Sequence, residues 1–143
     1  MQPRSITLAL ALARTRLAIG AAALVAPGLL GRAMWRREGA DPAARMFGRM
    51  LGGRDIALGL GVVIAIDRGA PVRGWLEAGA LADGVDFLSA VAARRELSSG
   101  VLTGTAASAG GAALLGLWLS RKLDPSPPAE PGQPEAALTG HPS

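Results

Sequence analysis

Six ionisable side chains stand inside stretches that are otherwise apolar: Arg14 and Arg16, Arg54 and Asp55, Asp83 and Asp86. Arginine and aspartate in such a setting can hold helices in register, relay a proton or an ion, or receive a polar ligand between helices. A lone charge at the centre of a bilayer costs roughly 2.5–3.5 kcal/mol on insertion scales, so six of them there would need compensation. Three guanidinium groups against three carboxylates balance. Arg54 and Asp55 are adjacent and point about 100° apart on a helix, so each is expected to face a different neighbour. Asp83 and Asp86, three apart, share a face. The economical arrangement pairs Asp55 with an arginine of the first apolar stretch, and Arg54 or a first-stretch arginine with the Asp83/Asp86 face.

The remaining inventory supports no catalytic centre. The single histidine, His141, lies in a Pro-rich C-terminal segment, and the chain has neither Cys nor Tyr. No His-Glu-x-x-His spacing exists for a metal. Two aspartates three apart could in principle share acid and base roles or hold a cation, but that pattern is weakly specific. The glycine-rich "GGRDIALGLG" at 52–61 lacks the Gly-Lys-Ser/Thr ending of a phosphate loop. No enzyme activity, cofactor, metal ligand or catalytic residue is therefore expected. Nor is nucleic-acid binding: fifteen Lys and Arg against eleven acids give a net charge of +4, but the arginines fall between apolar segments rather than forming one patch.

Four apolar stretches can be marked, Ser5 to Leu30, Ala44 to Ile66, Val72 to Ala93 and Val101 to Ser120, and the first three carry the six charges. At about 1.5 Å per residue, each reaches across the roughly 30 Å hydrocarbon layer of a bilayer. Residues 56 to 66 and 105 to 119 carry no charge, whereas a soluble bundle would show a polar stripe. Composition leans the same way. Half of the 143 residues are hydrophobic, yet there are only two Phe and three Trp beside twenty Gly, a mixture that suits close helix packing in lipid. Arg16 and Leu17, Asp55 and Asp83 lie near the midpoints of the first three stretches, which puts the charges at matching depth. Arg14 and Arg16 also interrupt the first stretch too early for a convincing signal peptide.

Punctuation separates the stretches. Asp41-Pro42 reads as an N-cap followed by a first-turn proline, Asp67 to Pro71 as a compact break, and Ser98-Ser99-Gly100 as another. The last two connections are short, so neighbouring helices should run antiparallel. Trp35, Trp75 and Trp118 fall at or near segment ends, where an indole can straddle the membrane interface. Small residues recur four apart: Gly53, Ala57, Gly61 and Ala65; Gly74, Ala78 and Ala82; Gly104, Ser108, Ala112 and Gly116. Such rows let backbones approach closely. Arginine and lysine divide five against five between the two sides, so the positive-inside rule sets no orientation.

The segments "RLAIGAAALVAPGLLGRAMW", "RMLGGRDIALGLG" and "WLEAGALADGVDFLSA" together resemble small four-helix membrane proteins common in actinobacteria that carry the domain of unknown function 4267. The likeness covers roughly residues 8 to 120 and centres on Gly53, Arg54, Asp55, Leu58 and Gly59, with Ala82, Asp83, Gly84, Val85 and Asp86 downstream. It implies a compact helical membrane protein and supplies no site residues; a looser likeness to DoxX-type proteins implies a similar architecture. The expectation is thus an all-α, four-helix transmembrane bundle over residues 1–122 with a disordered Pro-rich tail over 123–143. Its place would be the bacterial plasma membrane, its role structural or accessory, and its partners the lipid bilayer and a second copy or another membrane protein. The rival expectation is a small proton, ion or solute transporter that uses the intramembrane charges.

Overall fold

A computed structural model of the chain describes residues 3–29 and 42–123. They contain four long helices, α1 (Pro3–Val25), α2 (Pro42–Asp67), α3 (Arg73–Ala92) and α4 (Ser99–Leu123). Residues 27–29 are helical too, set off from α1 by Ala26, so the described chain has five helical segments and no strand. Proline opens α1 and α2, where its missing N–H is no loss because the first turn has no intrahelical acceptor. The end of α2 is closed by a Schellman turn. Gly69 has φ +60°; its N–H donates to the Ile66 carbonyl at 3.2 Å and that of Ala70 to the Ala65 carbonyl at 2.8 Å. Only glycine takes that left-handed position without strain. Arg121 and Lys122 lie in the last turn of α4, where cations complement the helix dipole.

Close glycine contacts give the helix directions. A methyl group at Gly20 would lie 2.6 Å from the Gly52 carbonyl oxygen, and one at Gly59 would lie 2.8 Å from that of Ala13. Residue numbers rise along α1 as they fall along α2, so the pair is antiparallel. Gly116 meets Leu76 and Ala80 while Gly110 meets Phe87, which makes α3 and α4 antiparallel as well. α1 packs along α2 and α3 along α4, whereas α1 with α4 and α2 with α3 touch only over short stretches. The molecule is therefore two helix pairs, joined at one end and splayed at the other. The joined end holds a core of Ala9, Ala13, Val62, Leu76, Leu119 and Leu123, among others.

This corrects the expected four-helix transmembrane bundle. Among the described residues, only α1 and α4 are long and apolar enough to cross a membrane. The physical reason lies in the charges: every membrane-length stretch of α3 contains Glu77, Asp83 and Asp86, and every such stretch of α2 contains at least three charged residues. Length alone does not make a membrane span. The additional helical segment at 27–29 also falls inside what read as one continuous first stretch.

The small-residue rows need a second correction. Gly53, Ala57, Gly74, Ala78 and Gly104 are exposed, and a methyl on Gly53, Gly74 or Gly104 would meet nothing within 4 Å. The working contacts are Gly52 and Gly59 on α2 and Gly116 on α4, while Gly61 makes room for the Trp75 indole. Trp75 and Trp118 are both partly exposed. Asp41, Trp35 and the C-terminal tail lie outside the described residues, and α4 continues through Leu123.

Candidate functional site

The buried face of α1 reads Ser5, Ala9, Ala13, Arg16, Gly20, Ala23. These positions recur every three or four residues, the spacing of one helix face. All are small except Arg16, so the neighbouring helices come close and the arginine is the one long side chain that must fit between them. Its guanidinium reaches two helices at once. Nη1 donates to Asp55 Oδ1 on α2 at 3.0 Å, and Nη2 donates to Asp83 Oδ2 on α3. Nη2 also donates to the Gly79 carbonyl at 3.3 Å. A methyl on Gly79 would sit 3.1 Å from that nitrogen, so glycine here leaves room for the cation.

A second pair flanks the first. Arg54 grips Asp86 with two parallel hydrogen bonds, Nη1 to Oδ1 at 3.1 Å and Nη2 to Oδ2 at 2.8 Å. This fork geometry is the strong form of an arginine–carboxylate contact. Arg54 Nη2 also donates to Asp55 Oδ1 at 3.2 Å. That last contact departs from the expectation that adjacent Arg54 and Asp55 look to different neighbours. The arginine side chain is long enough to bend back over its own helix while keeping Asp86, so Asp55 Oδ1 accepts from both arginines. Arg54 Nε, by contrast, is buried without a hydrogen-bond partner.

Five of the six candidate residues thus form one connected network across α1, α2 and α3. Arg14 does not join it: two residues from Arg16, it points to the opposite side of α1, is exposed, and makes no ion pair with the described residues. Burial grades the network. The side chains of Arg16 and Asp83 are 10% and 7% exposed, against 28% and 30% for Arg54 and Asp86. The Arg16–Asp83 contact therefore sits where water screens least, and the Arg54–Asp86 contact where screening discounts it.

All five charged residues line a cavity of about 490 Å³ between the two helix pairs. It lies on the splayed side of the network, and the charged groups form its floor. Its remaining walls are mostly apolar, with Leu12, Ile19, Leu51, Val101 and Ala109 among them. Ser89 and Ser108 also line it, though each hydroxyl donates to a carbonyl of its own helix, Val85 and Thr105 respectively. The sequence reading missed this cavity, because its existence depends on how far the pairs diverge. It also passed over the small-residue face of α1, which singles out Arg16 from Arg14. Among the described residues no group of three or more potential metal ligands comes together. Comparison with known protein families, curated proteins and solved structures finds no match to the chain.

Proposed function

We propose that the protein is a small membrane-associated accessory protein whose charge network locks two helix pairs at a fixed spacing, and that the cavity held open by this spacing receives a small molecule. The observation that carries the reading is an inside-out distribution of side chains. Arg16, Arg54, Asp55, Asp83 and Asp86 turn toward the interior, while Leu8 and Leu24 on α1 and Leu114 and Leu117 on α4 are exposed. Exposed apolar surface on this scale marks contact with lipid or with another protein. α1 and α4 supply the lipid-facing surface in this proposal. The likeness to proteins carrying the domain of unknown function 4267 belongs to the same reading, as does placement in a bacterial plasma membrane. Arg14, exposed on α1, marks where a second copy or another membrane protein would need to offer a carboxylate or a water-filled gap.

A carbonate wash of membranes from cells making the chain tests the membrane assignment. Retention in the pellet is expected; recovery in the wash would overturn it. The lining of the cavity by all five network residues also favours a second reading, a small transporter. Proteoliposomes would then show a pH- or ion-dependent flux that Asp83→Asn abolishes without unfolding the protein. Flux equal to that of empty liposomes would end the transport reading and leave the accessory one standing.

A further inference from the structure

We infer that the cavity selects a lipophilic organic cation, an apolar body carrying one positive charge. The inference rests on the reading of the cavity as a ligand site. It starts from the charges at the floor. Arg16 and Arg54 contribute two positive charges, and Asp55, Asp83 and Asp86 contribute three negative ones, a formal sum of −1. The balance visible in sequence depended on Arg14, which faces away.

The hydrogen bonds leave the excess charge reachable. Both oxygens of Asp86 are taken by Arg54, and Asp55 Oδ1 is shared by Arg54 and Arg16. Asp83 uses Oδ2 for Arg16. Asp55 Oδ2 and Asp83 Oδ1 accept no hydrogen bond from the described residues, and neither is sealed from solvent as Arg54 Nε is. The unpartnered Arg54 Nε does not change the sum, since its charge is already counted. Arg45 and Arg49, on the rim side of α2, are exposed and do not line the cavity.

Such a site discriminates by the sign of charge. An anion would meet a net negative floor inside low-dielectric walls, where a like charge is repelled most strongly. A hydrated metal ion would meet mostly apolar walls that replace few of its waters. A neutral apolar molecule would fit the walls but leave the floor uncompensated. A cation with an apolar body satisfies both, and a volume of about 490 Å³ is in the usual range for small-molecule pockets.

Tetraphenylphosphonium and tetraphenylborate, nearly identical in shape and opposite in charge, provide the test. Equilibrium dialysis of each radiolabelled ion against the full chain in nonionic detergent, with empty micelles as the blank, should give saturable phosphonium binding about tenfold or more tighter than borate binding. Asp86→Asn brings the floor to zero at its most exposed carboxylate and should reduce the preference to about threefold or less. Ala112→Phe should narrow the cavity and weaken binding of both ions, while Arg14→Gln should change neither. Equal binding of the two ions to the parent protein, as when a proton held on a carboxylate neutralises the floor, would overturn the cation inference and leave the ligand site standing. Tighter borate binding would overturn it too. No saturable binding of either ion would remove the ligand site itself.

Discussion

Replacing Arg16 with glutamine removes the side chain that, among the described residues, makes the hydrogen bonds from α1 to both α2 and α3. The consequence can be worked residue by residue. Asp55 keeps a donor, because Arg54 Nη2 lies 3.2 Å from its Oδ1. Asp83 does not: Arg16 is its only hydrogen-bonding partner among the described residues, and its side chain is 7% exposed. Breaking a buried pair from one side costs about 3–5 kcal/mol, since the orphaned charge remains desolvated. The nearby cavity lets some water approach Asp83, so about 3 kcal/mol is the appropriate end of that range. Against a typical domain stability of about 5–15 kcal/mol this is a large fraction, and it should lower the melting temperature by roughly 10 °C or more. Thermal unfolding followed by circular dichroism in nonionic detergent reads the effect directly. Arg14→Gln, with a comparable change of charge on an exposed face, should stay within about 0.5 kcal/mol of the parent. Equal melting of Arg16→Gln, Arg14→Gln and the parent would refute the assignment of Arg16 as the junction.

Other consequences separate the buried part of the site from its exposed part, and the close helix contacts from the idle ones. Asp83→Asn should destabilise more than Asp86→Asn, because the latter breaks a pair that is about one-third exposed and worth about 0.5–1 kcal/mol; chemical denaturation of the two variants in the same detergent checks the order. Raising salt should weaken the parent only slightly, by an amount that Asp86→Asn removes and Asp83→Asn preserves. Gly20→Ala should cost about 1–3 kcal/mol, since its new methyl meets the Gly52 backbone and the helices must part. Gly53→Ala should instead raise stability by about 0.5–1 kcal/mol, because nothing lies within 4 Å and alanine is the better helix former; a melting series on both variants distinguishes them.

How much of this was legible before the fold depended on what each feature needs. Helix ends are local events. Pro42 opens α2 and Gly69 closes it through a turn that only a few neighbouring residues determine. The meeting of Arg16, Asp55 and Asp83 follows from equal depth along antiparallel helices, and depth can be counted along the chain. Rotation cannot be counted in the same way. Choosing Arg16 over Arg14, or Gly52 over Gly53, requires knowing which face of a helix turns inward, and an error of one residue swings a side chain by about 100°. The α1 face of Ser5, Ala9, Ala13, Gly20 and Ala23 held that information for Arg16. On α2 glycines stand at both Gly52 and Gly53, so composition offered no choice. The number of membrane-length apolar helices was overstated for a related reason. Pairing between helices does not remove a charge from either helix, and every membrane-length stretch of α2 and α3 carries at least three. The cavity arises from the divergence of two helix pairs, a tertiary property with no counterpart in any single segment.

The direct test of the central claim, that Arg16 and Asp83 are held together in the interior, is a double-mutant cycle built from Arg16→Met and Asp83→Leu. Removing Arg16 alone leaves a buried carboxylate without its partner, whereas removing both leaves apolar side chains in an apolar setting. Unfolding free energies should therefore show a coupling of about 2 kcal/mol, with the double variant more stable than Arg16→Met alone. Additive losses, with the double variant the least stable of the set, would contradict the account.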